Sequence, residues 1–277
     1  MFRNLLVHIP TERPARPAVD GSISLAIACK AHLDAVAIGY DSTNIPFVAE
    51  GGAAIASIYA ADHQRAEERA ASALGVFETE AKLAGISYRC RAVAGIPEEA
   101  SALFAASARL HDLTIVSQAE PDHASFDNHL PRDVLFHSGG PVLFFPYTFH
   151  GAFRAKRIGI CWDGSRLAAR ALRDAMPLLA QADSLTVIAI NAAAESIEPT
   201  PAKLVAYLAS LGLATAIISL AADRSDVQPS ILSLAADENL DLLVMGGYGH
   251  SHLHELIVGG VTREMLRAMT VPTLMSH

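Results

Sequence analysis

The chain has 277 residues, 51% of them hydrophobic and 18% charged, with a net charge of −8 at pH 7. That apolar content is enough for two packed cores and excludes intrinsic disorder, and the negative balance argues against broad electrostatic binding of DNA, RNA or an anionic membrane. The length suits two domains of about 140 residues, and no run of 18 apolar residues is present to cross a bilayer.

From its first residues the chain enters a strand, Leu5–Ile9. Neither a signal peptide nor membrane insertion is therefore expected, and the cytoplasm is the expected compartment. A stretch rich in small residues, Asp41 to His63, holds Gly51-Gly52. Further on come Leu83-Ala-Gly85-Ile86, a buried-strand pattern at Asp112–Val116, and a short apolar run opened by Pro141. Between the last two, Ser117 to Pro131 contains no glycine but carries Glu120, Asp122 and Asp127, which are expected to repel phosphates. The three cysteines, Cys29, Cys90 and Cys161, are scattered, as small buried residues in a reducing compartment are.

A second series of elements starts at Arg157. A short apolar strand ends in Asp163-Gly164-Ser165 and leads into an amphipathic helix with Leu167, Ala168, Ala171, Leu172, Ala175 and Leu178 on one face. Asp163 is either a ligand-facing carboxylate or a cap for that helix, and the two roles can coexist. A strand at Leu185–Ile190 stops at Asn191. A helix from about Pro201 to Leu211, a strand at Ala214–Leu220, a helix from about Pro229 to Glu238, a strand at Leu242–Met245 and a last strand at Pro272–Met275 follow. Strands and helices alternating in this way predict an α/β layer fold with a doubly wound parallel sheet.

The series is a repeat of the first. Gly85 matches Gly212, Asp112 matches Asp241 and Pro141 matches Pro272, at offsets of 127, 129 and 131. Near-constant offsets indicate duplication. The first strands, ending at Ile9 and Trp162, lie 153 apart, so the first copy carries about two dozen extra residues, placed at Asp41 to His63. The expected domains are 1–150 and 151–277. Their terminal runs, Pro141–Pro146 and Pro272–Ser276, are apolar edges expected to pair the copies side by side in a pseudo-twofold arrangement.

Glycines distinguish the second copy. After Met245 the chain passes Gly246, Gly249, Gly259 and Gly260, then Val261 and Thr262 lead into a helical segment. Glycine lets backbone N–H groups approach a ligand, and the first turn of a helix favours an anion, so the segment predicts a phosphate cradle. In an open parallel sheet ligands bind beyond the carboxyl ends of the strands where their order reverses, which is where Asp163 and the loop after Met245 can meet. The first copy has Pro10 in the place of Asp163 and lacks the glycines, so it is expected to keep the scaffold without nucleotide binding.

The spacing Gly246-x-x-Gly249, nine residues, then Gly259-Gly260, together with the strand ending in Asp163-Gly164-Ser165, resembles the universal stress protein family. The resemblance implies tandem Rossmann-like domains of the adenine nucleotide alpha-hydrolase-like type. It implies ATP or a related adenine nucleotide as ligand, accompanied by Mg²⁺, with adenine meeting the backbone at Ile190. His250 falls where the family commonly has a polar or basic residue near the phosphates. The family usually places Ser or Thr where this chain has Gly260, and Thr262 is the candidate to replace that hydroxyl. A nucleotide-dependent regulatory role is implied by the resemblance alone, and further pairing of tandem chains into a homodimer is left open.

His250, His252 and His254 alternate within the same loop and could face a metal together if extended, but only Glu255 accompanies them. Solvated or phosphate-facing roles are favoured over a metal site. No Gly-x4-Gly-Lys-Ser/Thr loop, Gly-x-Ser-x-Gly elbow or paired carboxylates appear, so binding rather than turnover is expected, with slow ATP hydrolysis left open. The alternative is a second copy that is also degenerate, serving as an interaction module or binding another small ligand or metal.

Overall fold

The computed structural model describes residues 1–41, 52–191, 199–247 and 260–277, with the side chains of 52–55 excluded. In the first half the elements are β1 (Asn4–Ile9), α1 (Arg16–Cys29), β2 (His32–Tyr40), α2 (Gly52–Ala84), β3 (Tyr88–Gly95), α3 (Pro97–Ala108), β4 (Leu113–Ser117), α4 (Leu130–His137) and β5 (Val142–Phe145). The second half repeats the order with β6 (Arg157–Cys161), α5 (Arg166–Leu179), β7 (Ser184–Ile190), α6 (Pro201–Ser210), β8 (Thr215–Leu220), α7 (Val227–Asp237), β9 (Leu242–Gly246), α8 (Val261–Ala268) and β10 (Thr273–Ser276).

The strands form one sheet in the order β3-β2-β1-β4-β5-β10-β9-β6-β7-β8. Every neighbouring pair is parallel except β5 and β10 at the centre, which run antiparallel with Leu143 opposite Leu274. The runs read from sequence as edges of their own copies thus lie inside the sheet, and β3 and β8 are its outer strands. Within each half the strand order reverses beside the first strand, between β1 and β4 and between β6 and β9.

Period-two alternation sends the central strands' side chains to both faces. Leu143, Phe145 and Leu274 join one core with residues of α1, α2, α5 and α6. Val142, Phe144 and Met275 join the other with α3, α4, α7 and α8. Both cores therefore run unbroken across the β5–β10 seam. Gly21 of α1 is required there, because a Cβ on it would come within 2.4 Å of the Phe145 ring.

Both halves fasten their first strand in the same way. The carboxylate of Asp112 accepts hydrogen bonds from the backbone N–H of Arg3 and Asn4, and that of Asp241 accepts them from Lys156 and Arg157. The halves differ most in their second helix. Residues from Gly52 onward, which the sequence places in the inserted stretch, form the start of the 33-residue α2, whereas α6 has 10 residues. The run Ala53, Ala54, Ala56, Ala60, Ala61 explains this, since alanine is the strongest helix former.

Candidate functional site

In the second half, the end of β6 and the end of β9 stand side by side at the reversal of strand order. Asp163 follows β6 and is exposed, with one carboxylate oxygen accepting the N–H of Ser165 at 2.9 Å. Gly164 between them has φ of +74°, the left-handed conformation that lets the chain turn so tightly. The cap of α5 is Ser165, whose hydroxyl accepts the N–H of Ala168 at 3.1 Å. The capping role weighed for Asp163 therefore falls to Ser165, and the Asp163 carboxylate is exposed just beyond the end of β6.

Met245 is buried at the end of β9, and Gly246 follows. The sequence suggests that Gly246 lacks a side chain to admit a ligand, but its packing gives another reason. A Cβ there would lie 2.7 Å from the backbone nitrogen of Ala168 and the carbonyl carbon of Leu167. The residue lets the first turn of α5 press onto the sheet. Gly247 then donates its N–H to Ser276 and accepts from the ring of His277, while its open side faces Leu135 of α4.

Ile190, half-buried, closes β7, where Asn191 turns the chain with φ of +60°. The amide of Asn191 makes a reciprocal pair of hydrogen bonds with the backbone of Ala222, squaring off the ends of β7 and β8. Gly260 is the N-cap of α8 with φ −80° and ψ 143°, and it offers no side chain to the first-turn N–H groups of that helix. Val261 beside it is half-buried. Thr262, the candidate replacement hydroxyl, is buried in the first turn, which tells against its offering a hydroxyl to a ligand in the crevice. Burial, then the charge of Asp163, push the Cys161 thiol up to about 12, so that sulfur is no nucleophile at neutral pH. Gly249, His250, His252, His254 and Gly259 lie outside the described residues.

Residues 154–277 match the universal stress protein family. The second half of the chain is thus similar to that family. A 74-residue stretch is 31% identical to a universal stress protein of Synechocystis sp., covering 24% of this chain and 26% of that protein. The match thus spans about a quarter of the curated relative's length. Over nearly its whole length the chain has the fold of a universal stress protein from Archaeoglobus fulgidus DSM 4304, at 16% identity, with 98% of this chain and 97% of that one covered and a TM-score of 0.72. A protein of unknown function from Pseudomonas aeruginosa PAO1 is similar in fold at 17% identity, 99% and 92% coverage and a TM-score of 0.62.

The corresponding place in the first half, between β1 and β4, is filled by polar side chains that sequence reasoning missed or misread. Asp127, expected to face and repel phosphates, is wholly buried. Its carboxylate accepts the backbone N–H of Thr11 and Glu12, each at 3.0 Å, and the hydroxyl of Tyr40 at 3.1 Å. Buried Arg13 donates to the carbonyls of Ser117 (3.0 Å) and Gln118. His8 is fully buried with Nε2 3.6 Å from Asp127. Burial, then the charge of Arg13, pull its pKa down to about 3, so it is neutral and its contact with Asp127 is no ion pair at neutral pH. Two signals were available in the sequence: a histidine inside the otherwise apolar first strand, and an arginine shortly after it.

Among the described residues no group of histidines, cysteines and carboxylates is placed to hold a metal ion. No described helix is long and apolar enough to cross a membrane.

Proposed function

We propose that the chain is a tandem universal stress protein, with domains at 1–150 and 151–277 joined as a pseudo-dimer through β5 and β10, that binds ATP or a related adenine nucleotide in the second domain and acts there as a nucleotide-dependent regulatory protein of the cytoplasm. The observation that carries this reading is the family match to the half in which exposed Asp163 and the end of β9 flank the reversal of strand order.

The residues present fit such a ligand. The start of α8 carries N–H groups that Gly260 does not cap with a side chain, which suits phosphate. Ile190 ends β7 on the far side of β6, where an adenine would meet backbone, and Asp163 could serve an accompanying Mg²⁺. When bound, the nucleotide supplies phosphate charge and a flat base. Holding both is the work of the chain.

A second reading, binding of another small ligand or service as an interaction module, is favoured by the burial of Thr262, which leaves the missing hydroxyl at Gly260 without its candidate replacement. Mass analysis of small molecules released from the purified chain separates the two readings. ATP or AMP near one per chain, and a Kd for added ATP weakened at least tenfold by Asp163→Ala, support the first. Nothing bound, with no thermal shift on adding nucleotide, supports the second.

A further inference from the structure

We infer that the first half retains an anion-binding cradle whose occupant is the chain's own Asp127, so that this half is held in a permanently liganded form. The site stands at the same topological position as the crevice of the second half, beyond the ends of β1 and β4. It is built from donors. Two consecutive backbone N–H groups, of Thr11 and Glu12, converge on one carboxylate oxygen, and the Tyr40 hydroxyl holds the other. Convergent amides with a nearby guanidinium form a surround suited to an oxyanion.

Independent evidence of a ligand-binding surround lies in the groups left over. Five buried side-chain atoms among the described residues have no hydrogen-bond partner: both ring nitrogens of His8, Nε of Arg13, Oγ of Ser117 and Nε2 of Gln118. All four residues lie at the ends of β1 and β4 or in the loop after β1. Polar atoms unpaired inside a protein are costly, and their concentration here marks a place shaped around polar contact rather than apolar packing. The carboxylate also cannot leave easily. Glu12, whose N–H holds Asp127, accepts in turn from the hydroxyl of Ser125 and the N–H of Phe126, and Asn128 bonds the backbone of Glu120 and His123. The segment that would have to open to admit a ligand is thereby tied to the loop that would receive it.

The test is chemical rescue in the full chain. Asp127→Ala removes the carboxylate and leaves its donors facing a small space, and formate is the probe. The expected results are a melting temperature lowered by roughly 5 °C or more and a saturable rise with sodium formate that recovers at least half of that loss. Sodium chloride at equal ionic strength recovers none of it, and the parent chain gains nothing from formate. Formate acting no better than chloride on the variant, or equally on the parent, overturns the inference. If the variant does not fold in buffer, its refolding yield from urea decides: a higher yield in formate than in chloride supports the cradle, and equal yields refute it. No nucleotide enters the experiment, so its failure leaves the reading of the second half untouched, and the reverse holds.

Discussion

Replacing His8 by Gln should remove a specific loss of stability in mild acid. The imidazole lies in β1, wholly buried, edge-on to Phe104 with ring centroids 5.5 Å apart. Burial, and then the charge of Arg13, lower its pKa from 6.5 to about 3. Between those values the unfolded chain takes up a proton at His8 and the folded chain does not, so stability falls as pH falls through 6.5 and keeps falling toward 3. At pH 5 the unfolded-state gain is about 1.5 pH units, or about 2 kcal/mol. Asp127, which faces the same ring, has its pKa raised by burial against the pull of Glu12 N–H, Arg13, Tyr40 and Thr11 N–H. It therefore acts in the opposite sense, protonating in the folded chain first. Comparing parent and His8→Gln cancels that contribution to first order. Urea unfolding at pH 7 and pH 5 is the assay. With a denaturant slope of ~3 kcal/mol/M, the parent midpoint should drop by ~0.7 M more than that of the variant. Parallel drops in the two proteins would mean that His8 is not held neutral by its surroundings, and the description of the β1–β4 site would fail with it.

Gly246→Ala should destabilise the ligand-free protein by roughly 1–3 kcal/mol, because the new Cβ meets the backbone of α5 rather than a side chain that can turn away; an unchanged melting curve would contradict that close approach. Gly260→Ser restores the family's hydroxyl at an N-cap whose φ of −80° a serine adopts freely. It should tighten ATP binding by roughly tenfold to a hundredfold in isothermal titration, and an unaltered Kd would remove the hydroxyl from the account of binding. Expressed separately, 1–150 and 151–277 each lay bare the seam, where Leu143, Phe144, Phe145, Leu274 and Met275 are fully buried and worth roughly 1.5–3 kcal/mol apiece. Each half should self-associate in sedimentation experiments, and two well-behaved monomers would count against the seam as a core.

The strands were legible because a strand covered on both faces is largely apolar. Leu5–Ile9, Leu185–Ile190 and Leu242–Met245 are such runs, broken only by His8 and Thr186, and they stop at Pro10, Asn191 and Gly246. The pairing of β6, which precedes Asp163, with β9 at the reversal of strand order agrees with the rule that ligands collect where strand order reverses. What failed was inference about partners distant in sequence. Asp127 reads as a repelling charge until its donors are known, and those lie 116 and 115 residues upstream at Thr11 and Glu12. Gly246 reads as space for a ligand, although α5 fills that space. Thr262 reads as an available hydroxyl, although its place in the first turn of α8 buries it. In each case the residue type was informative, and the neighbour that decides its role came from another part of the chain.

The two halves meet at more than their central strands, and the contacts converge on the start of the glycine-bearing segment. Gly247, the last described residue before it, is held by Ser276 and His277 of the C-terminal strand and packs against Leu135 of α4. His277 stacks edge-on with Phe136 at 4.8 Å, and Arg170 of α5 bridges the carbonyls of His277 and Gly139. Gly247 thus leaves the sheet against a surface contributed by the first half. α4, which supplies that surface, follows directly on the segment that Asp127 and Glu12 tie down, and its Leu130 and Val134 are fully buried. On the inference drawn above, a first half locked by its own carboxylate would hold this surface in place more firmly than a half exchanging an external ligand.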